Sequence, residues 1–453
     1  MRQKYDAQSY LCWWPESRSK TVREYEEKYN WISRILDANP EILRLVDSDL
    51  KKLCRPSKKG RKAKYTSEIL LRAMIVHQLE GQSLRGTEIL LSHSVFLQDF
   101  IRLGDRTPPS YSMLGRSLKA VRPVTWEKVN KTLTLYALEN KRIDPSQLRV
   151  DTTVVESTIH YPTDCSLLWD GFRVLYRLLN QARDRFPGVI PYRFHEKKVK
   201  KLFLFITRYT RSKDKKRQRK VKKYQAKLIK QVSKIAEVAS EYRHVLDRSE
   251  DRALQYIGEE IAKYLGSILM VLEVAERVWI HGETVPAKER IFSIFETHTE
   301  LIKRGKRDKP VEFGHKILLG QTKEKFITQY QVMRKQVSDV YLPEKILDEH
   351  KATFGQMPER LVADRGFCGD PEAMKDLREK IKVVAIPQRL KDFVDDFFVK
   401  LQHFRAGIEG SISALKRFFG LLRCQYRGFK SFASHVGLGV FSYNLVVLSR
   451  PPR

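Results

Sequence analysis

The chain has 453 residues, 42% of them hydrophobic, with 86 Lys and Arg against 54 Asp and Glu and a formal net charge of +32. That length and apolar content can bury a sizeable core, which excludes a disordered chain and favours two or three domains. The positive excess points to a polyanionic partner, and to nucleic acid rather than a membrane: the long apolar stretch Ile257 to Ile280 is broken by Glu259, Glu260, Lys263, Glu273, Glu276 and Arg277, and no segment is read as long and apolar enough to span a bilayer.

Met1 to Arg18 shows no uninterrupted apolar core and no small-residue cleavage site, so no secretory signal is read there. The cysteines (Cys12, Cys54, Cys165, Cys368 and Cys424) are scattered, odd in number and never spaced C-x-x-C. Reduced thiols of a cytoplasmic protein are expected, with neither a disulfide framework nor a zinc finger.

Ahead of the first clear helical pattern lies a basic run, Arg55 to Lys64, in which Lys58, Lys59, Arg61 and Lys62 could follow phosphates or a minor groove; a solvated linker has the same composition. From Tyr65 the residues Ile69, Leu70, Ala73, Met74, Val76 and Leu79 recur at helical spacing until Gly81. A second helix is predicted from Leu84, a third around Val95 to Ile101, and a fourth from Ser110 to Val121 after Pro108 and Pro109. Short helices with tight breaks predict a helix-turn-helix-like bundle.

Leu148 to Val155, reading LRVDTTVV, predicts a strand. The chain then turns helical from Leu167 to about Arg277, enclosing RSKDKKRQRKVKK (Arg211 to Lys223), which either grips phosphates or is an exposed charged helix. Further strands are predicted at Arg290 to Phe295, Phe313 to Leu319 and Gln329 to Val332, with a basic turn at Lys303 to Lys309. A helix from Pro343, a short strand Arg360 to Ala363, a helix Glu372 to Lys380, an apolar strand Ile381 to Ile386 and a mostly helical stretch Val394 to Leu448 complete the chain. The fold class expected is therefore mixed α/β, a sheet domain entered early by one strand, interrupted by a long helical insertion and preceded by an all-helical region.

Three acidic residues stand out. Successive strand residues face opposite ways, so Asp151, Thr153 and Val155 share one face and Glu156 falls on the other, which argues against Glu156 as a ligand. A carboxylate in an apolar strand is costly unless paired or bound to a cation, and Asp151 therefore needs a reason to be there. Asp364 follows a strand directly and precedes a glycine turn, where sites of open α/β sheets collect, although it could simply cap the turn; Asp370 before Pro371 reads as a helix cap. In HFRAGIEGSISALKRFF, at about 100° per residue, Leu401, Phe404, Ile408, Ile412, Leu415 and Phe419 form an apolar stripe and Arg405, Glu409 and Lys416 a polar one beside it. Taken alone, that polar stripe could equally be surface ion pairs.

Together these segments resemble the catalytic core of DDE transposases with a ribonuclease H-like fold, in which an Asp on the first strand, an Asp after the fourth and a Glu on a late helix form the site. The late helix is similar to the insertion-sequence signature Y-x2-R-x3-E-x6-K, met here by Arg405, Glu409 and Lys416, with Gln402 where the pattern has Tyr. VDTTVVESTIHYPTD and FRAGIEGSISALKRFFGL look most like the insertion-sequence group called ISNCY. The resemblance implies residues 1–64 as a helical and basic arm region, 65–142 as a helical DNA-binding bundle, and 143–450 as the catalytic domain with its insertion at about 166–285.

It further implies a bacterial, nucleoid-associated enzyme that binds element ends, cleaves DNA and transfers the freed 3′-hydroxyl strand to target DNA. Asp151, Asp364 and Glu409 would be both the catalytic residues and the metal ligands of two Mg²⁺ ions, with Mn²⁺ a possible substitute, Asp151 bridging and the others completing one ion each. Arg405 and Lys416 would contact phosphates beside the scissile bond. In LRCQYRGFKS, Arg423 and Arg427, with Lys430, would meet DNA while Tyr426 and Phe429 either stack on bases or pack a loop. His160, His281, His315 and His403 show no metal spacing. The partners implied are double-stranded DNA, as terminal inverted repeats and target, and a second copy of the chain, with no membrane. The rival readings are a catalytically inactive or domesticated DNA-binding descendant and a ribonuclease H-like nuclease.

Overall fold

The computed structural model describes residues 19–53, 63–188, 190–303, 310–369, 371–387 and 396–450. The chain is mixed α/β and mostly helical, with one mixed sheet.

The N-terminal part is made of α1 (Lys20–Ala38), α2 (Pro40–Leu50), α3 (Ser67–Glu80), α4 (Leu84–His93), α5 (Val95–Phe100), α6 (Tyr111–Ala120) and α7 (Pro123–Glu139). Hydroxyl caps set the helix starts: the side chains of Thr66, Ser83, Ser94 and Ser110 accept from the backbone N–H groups of Ile69, Gly86, Leu97 and Met113. Gly81, at φ 60°, ends α3 in the left-handed conformation that only glycine adopts cheaply. The four helices expected from Tyr65 onward are present, and α7 follows them. Their core, which includes Tyr29, Ile42, Met74, Leu91, Trp126 and Leu133, is completed by Leu438, Phe441, Leu445 and Leu448 of the last helix, α15 (Phe429–Ser449).

This last helix corrects one expectation. By length and composition α15 is apolar enough to cross a membrane, yet 78% of its most apolar window is buried inside the protein. A helix that is hydrophobic all round is a core helix when protein surrounds it, and α15 packs on α1, α3, α6, α7 and the sheet.

The sheet is built on β1 (Gln147–Ser157), with β2 (Glu300–Lys303), β3 (Val311–Gln321), β4 (Ile327–Val332), β5 (Arg360–Val362), β6 (Val383–Ala385) and β7 (Arg423–Cys424). Its order is β2-β3-β1-β5-β6, with β4 also on β3 and β7 on β1. β1 runs antiparallel to β3, placing Asp151 opposite Leu319, and parallel to β5, pairing Arg149 with Val362. Even-numbered Leu148 and Val150 pack with α12 (Leu342–Phe354) and α13 (Pro371–Lys380) on one face. Odd-numbered Val155 packs with α14 (Asp396–Phe418) and α15 on the other. Strand parity therefore puts Asp151 on the side that α14 covers.

Between β1 and β2 the chain leaves the sheet for α8 (Asp164–Arg185), α9 (Glu196–Tyr209), α10 (Lys215–Asp247) and α11 (Arg252–Trp279). These helices enclose a core of their own, with Phe172, Leu175, Leu228, Val232, Ile261 and Ile268 at its centre.

Arg290 to Phe295 is not the strand expected. Phe292, Ser293 and Ile294 are buried in irregular chain, Ile294 joins the core of the inserted helices, and Ser293 Oγ accepts from the backbone N–H groups of Phe295 and Glu296. Its apolar residues are spent on packing against helices, so no ladder forms. The sheet resumes at β2, next to the expected basic turn, of which residues 304–309 lie outside the described residues. The strand expected over Ile381 to Ile386 is shorter, Val383–Ala385.

Candidate active site

Asp151 stands midway along β1, and its Oδ1 accepts from the Thr152 backbone N–H at 2.7 Å. Its carboxyl is pushed up to about 6, first by burial; the Thr152 hydrogen bond lowers it, Asp364 and Glu409 raise it as like charges, and the Arg405 guanidinium lowers it. Residues far apart in sequence thus act electrostatically on one half-buried carboxyl.

The elements explain the convergence. β5 lies beside β1 in parallel register, Arg149 against Val362, so the chain leaves β5 at Asp364 alongside Asp151. Asp364 Oδ1 accepts from the Gly366 backbone N–H at 2.9 Å, which holds the carboxylate at the strand end; the capping role weighed from sequence is real and uses one oxygen. Glu409 comes from α14, whose Leu401, Ile408 and Leu415 are buried as the apolar stripe requires. On the neighbouring stripe Arg405 Nη2 donates to Glu409 Oε1 at 2.9 Å, with the Arg405 side chain 19% exposed and that of Glu409 59%. Lys416 follows on the same stripe, half-buried.

One residue of this site escaped the sequence reading. Arg149, 3% exposed, donates from Nε to Gln321 Oε1 at 2.8 Å and from Nη1 to the Phe404 carbonyl at 2.9 Å, while its guanidinium lies over the Phe404 ring at 4.9 Å. Burial pulls it down to about 10. It ties β1 to α14 two residues before Asp151.

Among the described residues, no group of His, Cys, Asp or Glu side chains is gathered closely enough to enclose a metal ion. The donor chemistry nevertheless fits a hard divalent cation. All three groups offer carboxylate oxygens, and Asp151 carries a burial cost and two like charges that a cation would relieve.

Glu156, placed by parity away from this face, accepts from Arg423 Nη2 at 2.6 Å and Nε at 3.1 Å where β7 meets the end of β1. Arg423 and Arg427 line a cleft of about 750 Å³ between α14–α15 and the N-terminal helices, together with Arg85, Lys119, Gln82 and Tyr111. Arg85 and Lys119 carried no signal in the sequence, since their neighbours across the cleft are more than 300 residues away. The rings of the same loop have packing roles: Tyr426 Oη is 2.9 Å from His77 Nε2, and Phe429 lies against His298, His315 and Phe432. His315 has Nδ1 2.9 Å from the Met333 carbonyl and Nε2 2.7 Å from His298 Nδ1. Lys58, Lys59, Arg61, Lys62 and Asp370 lie outside the described residues.

A family model described as "Transposase DDE domain" matches residues 294–445. The matched segment runs from just before β2 into α15 and holds Asp364 and Glu409, while Asp151 precedes it across the inserted helices. The match covers about a third of the chain, which over that stretch is similar to a DDE transposase domain. No curated protein and no solved structure matches it.

Proposed function

We propose that the chain is a DNA transposase that binds the ends of a mobile element, cleaves phosphodiester bonds there and transfers the 3′-hydroxyl strand to target DNA. The observation that carries this reading is Asp151, a half-buried carboxyl on the face of β1 that α14 covers, acted on by Asp364, Glu409 and Arg405 together. The match over residues 294–445 supports the same class. The strand order, antiparallel on one side of β1 and parallel on the other, supports a ribonuclease H-like core over 143–450. In this reading the helices before residue 143 bind element ends, and the quoted phrases VDTTVVESTIHYPTD and FRAGIEGSISALKRFFGL favour the ISNCY group.

Asp151, Asp364 and Glu409 would hold two Mg²⁺ ions, or Mn²⁺ in their place. Bound there, such ions supply an activated water and a stabilised leaving oxygen for phosphodiester cleavage. The chain's own groups do the positioning. Arg405 exchanges Glu409 for a phosphate as DNA enters, which frees the Glu409 carboxylate and places a planar fork beside the scissile bond. Lys416 adds a point charge on the same stripe. Arg427, with Arg423, Arg85 and Lys119, lines the path of the duplex away from the site. Two copies of the chain hold the two ends in the working complex, in the bacterial cytoplasm where the element's DNA lies.

The test is nicking and strand transfer on labelled duplexes carrying the sequences that flank the coding region, with Mg²⁺ against EDTA. Mg²⁺-dependent nicking followed by joining to a second duplex supports the proposal. Binding without nicking selects a binding-only descendant, and cleavage of RNA–DNA hybrids without strand transfer selects a nuclease.

A further inference from the structure

The inserted helices carry a charge that cleavage does not use. Between residues 196 and 234 there are seventeen Lys and Arg against two acids, Glu196 and Asp214. Among the described residues, Arg217 with Asp214, at 3.4 Å, is the one ion pair these cations make. A helix exposed only to water gains by mixing signs, with acids four residues before bases. α10 does the reverse, setting Lys215 four before Arg219, Lys216 before Lys220, Arg219 before Lys223 and Lys230 before Lys234. It also crowds cations into its first turns, against the positive end of the helix dipole. Like charges held together at the expense of helix stability point to an external anion.

Five of the ten cations between Lys215 and Lys234 share one stripe. At about 100° per residue, Lys215, Arg219, Lys222, Lys223 and Lys230 fall within roughly a third of the α10 circumference, all of them exposed. The buried residues Val221, Leu228, Val232 and Ala239 lie on the opposite side, in the core of the inserted helices. The stretch from Lys215 to Lys234 rises about 30 Å, close to one turn of duplex DNA. At its edge Phe205, Tyr209 and Tyr224 pack together with ring centroids 4.7 and 4.8 Å apart. Lys220 lies over Phe205 at 5.0 Å and Arg217 over Tyr209 at 5.0 Å, so some of the long side chains are held on a ring surface. The turn into α10 is ordered as well, because Gln218 Nε2 donates to the carbonyls of Thr210 and Ser212 and Asp214 caps the helix.

We infer that the exposed face of α10 is a second DNA-binding surface, which takes the phosphate backbone of duplex DNA without reading its sequence and is separate from the carboxylate site. Duplex DNA is favoured over a lipid surface because the apolar side of α10 is consumed by its own core, leaving no apolar face to insert between lipids. The surface does not depend on cleavage, so its test is run in EDTA, where failure of the cleavage reading has no effect on the result.

The test is the affinity of the full chain for a labelled duplex of arbitrary sequence, followed by fluorescence anisotropy across a salt series. A chain carrying Lys215→Gln, Arg219→Gln, Lys222→Gln, Lys223→Gln and Lys230→Gln is compared with wild type and with one in which the four lysines become arginine. The Gln variant is expected to lose about three to five units of the slope of log K against log salt, at about 0.9 per phosphate contact removed, and to bind at least tenfold more weakly near physiological salt. The arginine variant should bind as wild type does. A Gln variant with unchanged circular dichroism and the wild-type slope and affinity overturns the inference. A second measurement on the unmodified chain, acetylation of these lysines followed by mass spectrometry, should show protection by duplex; no protection by duplex, or protection only by phosphatidylserine vesicles, overturns it too.

Discussion

Arg149 and Gly407 meet so closely across the boundary of β1 and α14 that a Cβ on Gly407 would collide with the Arg149 guanidinium. Each stands two residues before a carboxylate of the candidate site, Asp151 on the strand and Glu409 on the helix. This contact sets how closely β1 and α14 approach just before those two residues, and it is possible only because α14 presents backbone rather than a side chain at this point.

Substituting Gly407→Ala should therefore cost more than a surface change would. The Arg149 guanidinium is buried and tied to Gln321, Phe404 and the Phe404 ring, so it cannot swing aside without losing partners. We expect a loss of about 1–3 kcal/mol in urea denaturation, the usual range for overpacking. Nicking should fall while duplex binding is retained; wild-type stability and nicking would show that the contact positions nothing.

The raised Asp151 carboxyl gives a pH-dependent prediction. Its folded value, about 6, lies above its ordinary 3.8, so the folded chain keeps a proton there that the unfolded chain releases. The stability tied to that proton is fully present below 3.8 and is lost as pH rises through about 6. In EDTA, Asp151→Asn removes the half-buried charge while its Oδ1 can still accept from Thr152. It should be more stable than wild type by on the order of 1–3 kcal/mol at about pH 8, with the difference vanishing below about pH 4. Parallel pH–stability curves for the two proteins would contradict the electrostatic account.

His350 carries the opposite sign. It is 1% exposed, its ring lies 4.6 Å from that of Phe354, and neither ring nitrogen has a hydrogen-bond partner among the described residues. Burial lowers it from 6.5 to about 4, so the unfolded chain takes up the proton first. Stability present above 6.5 is lost as pH falls toward 4. We expect His350→Leu to raise stability near neutral pH by about 1–2 kcal/mol, by removing unpaired buried polar atoms, and to flatten the acid limb of the pH–stability curve. A destabilised variant with the acid limb unchanged would refute this.

Much of this arrangement could be read from local pattern. Alternation along LRVDTTVV was enough to put Asp151 and Glu156 on different faces, and the structure pairs Glu156 with Arg423 while Asp151 faces α14. The helical stripe of Leu401, Ile408 and Leu415 oriented Glu409 in the same way. What escaped depends on partners distant in sequence. An arginine within a strand looks like ordinary polar alternation until Gln321 and Phe404 arrive beside it, 172 and 255 residues later. Tyr426 looks free to stack on a base until His77, 349 residues earlier, takes its hydroxyl. Arg290 to Phe295 has strand composition, but the inserted helices offer its apolar side chains a core.

The most direct measurement compares Asp151→Asn, Asp364→Asn and Glu409→Gln one at a time, each assayed for duplex binding in EDTA and for nicking of the flanking-sequence duplex with Mg²⁺. All three should bind as wild type does, because none removes a positive charge, and nicking should fall by at least about a hundredfold in each, the loss expected when a group acting on the transition state is removed. A variant that nicks at the wild-type rate would show that its carboxylate takes no part in cleavage, contradicting the three-carboxylate site.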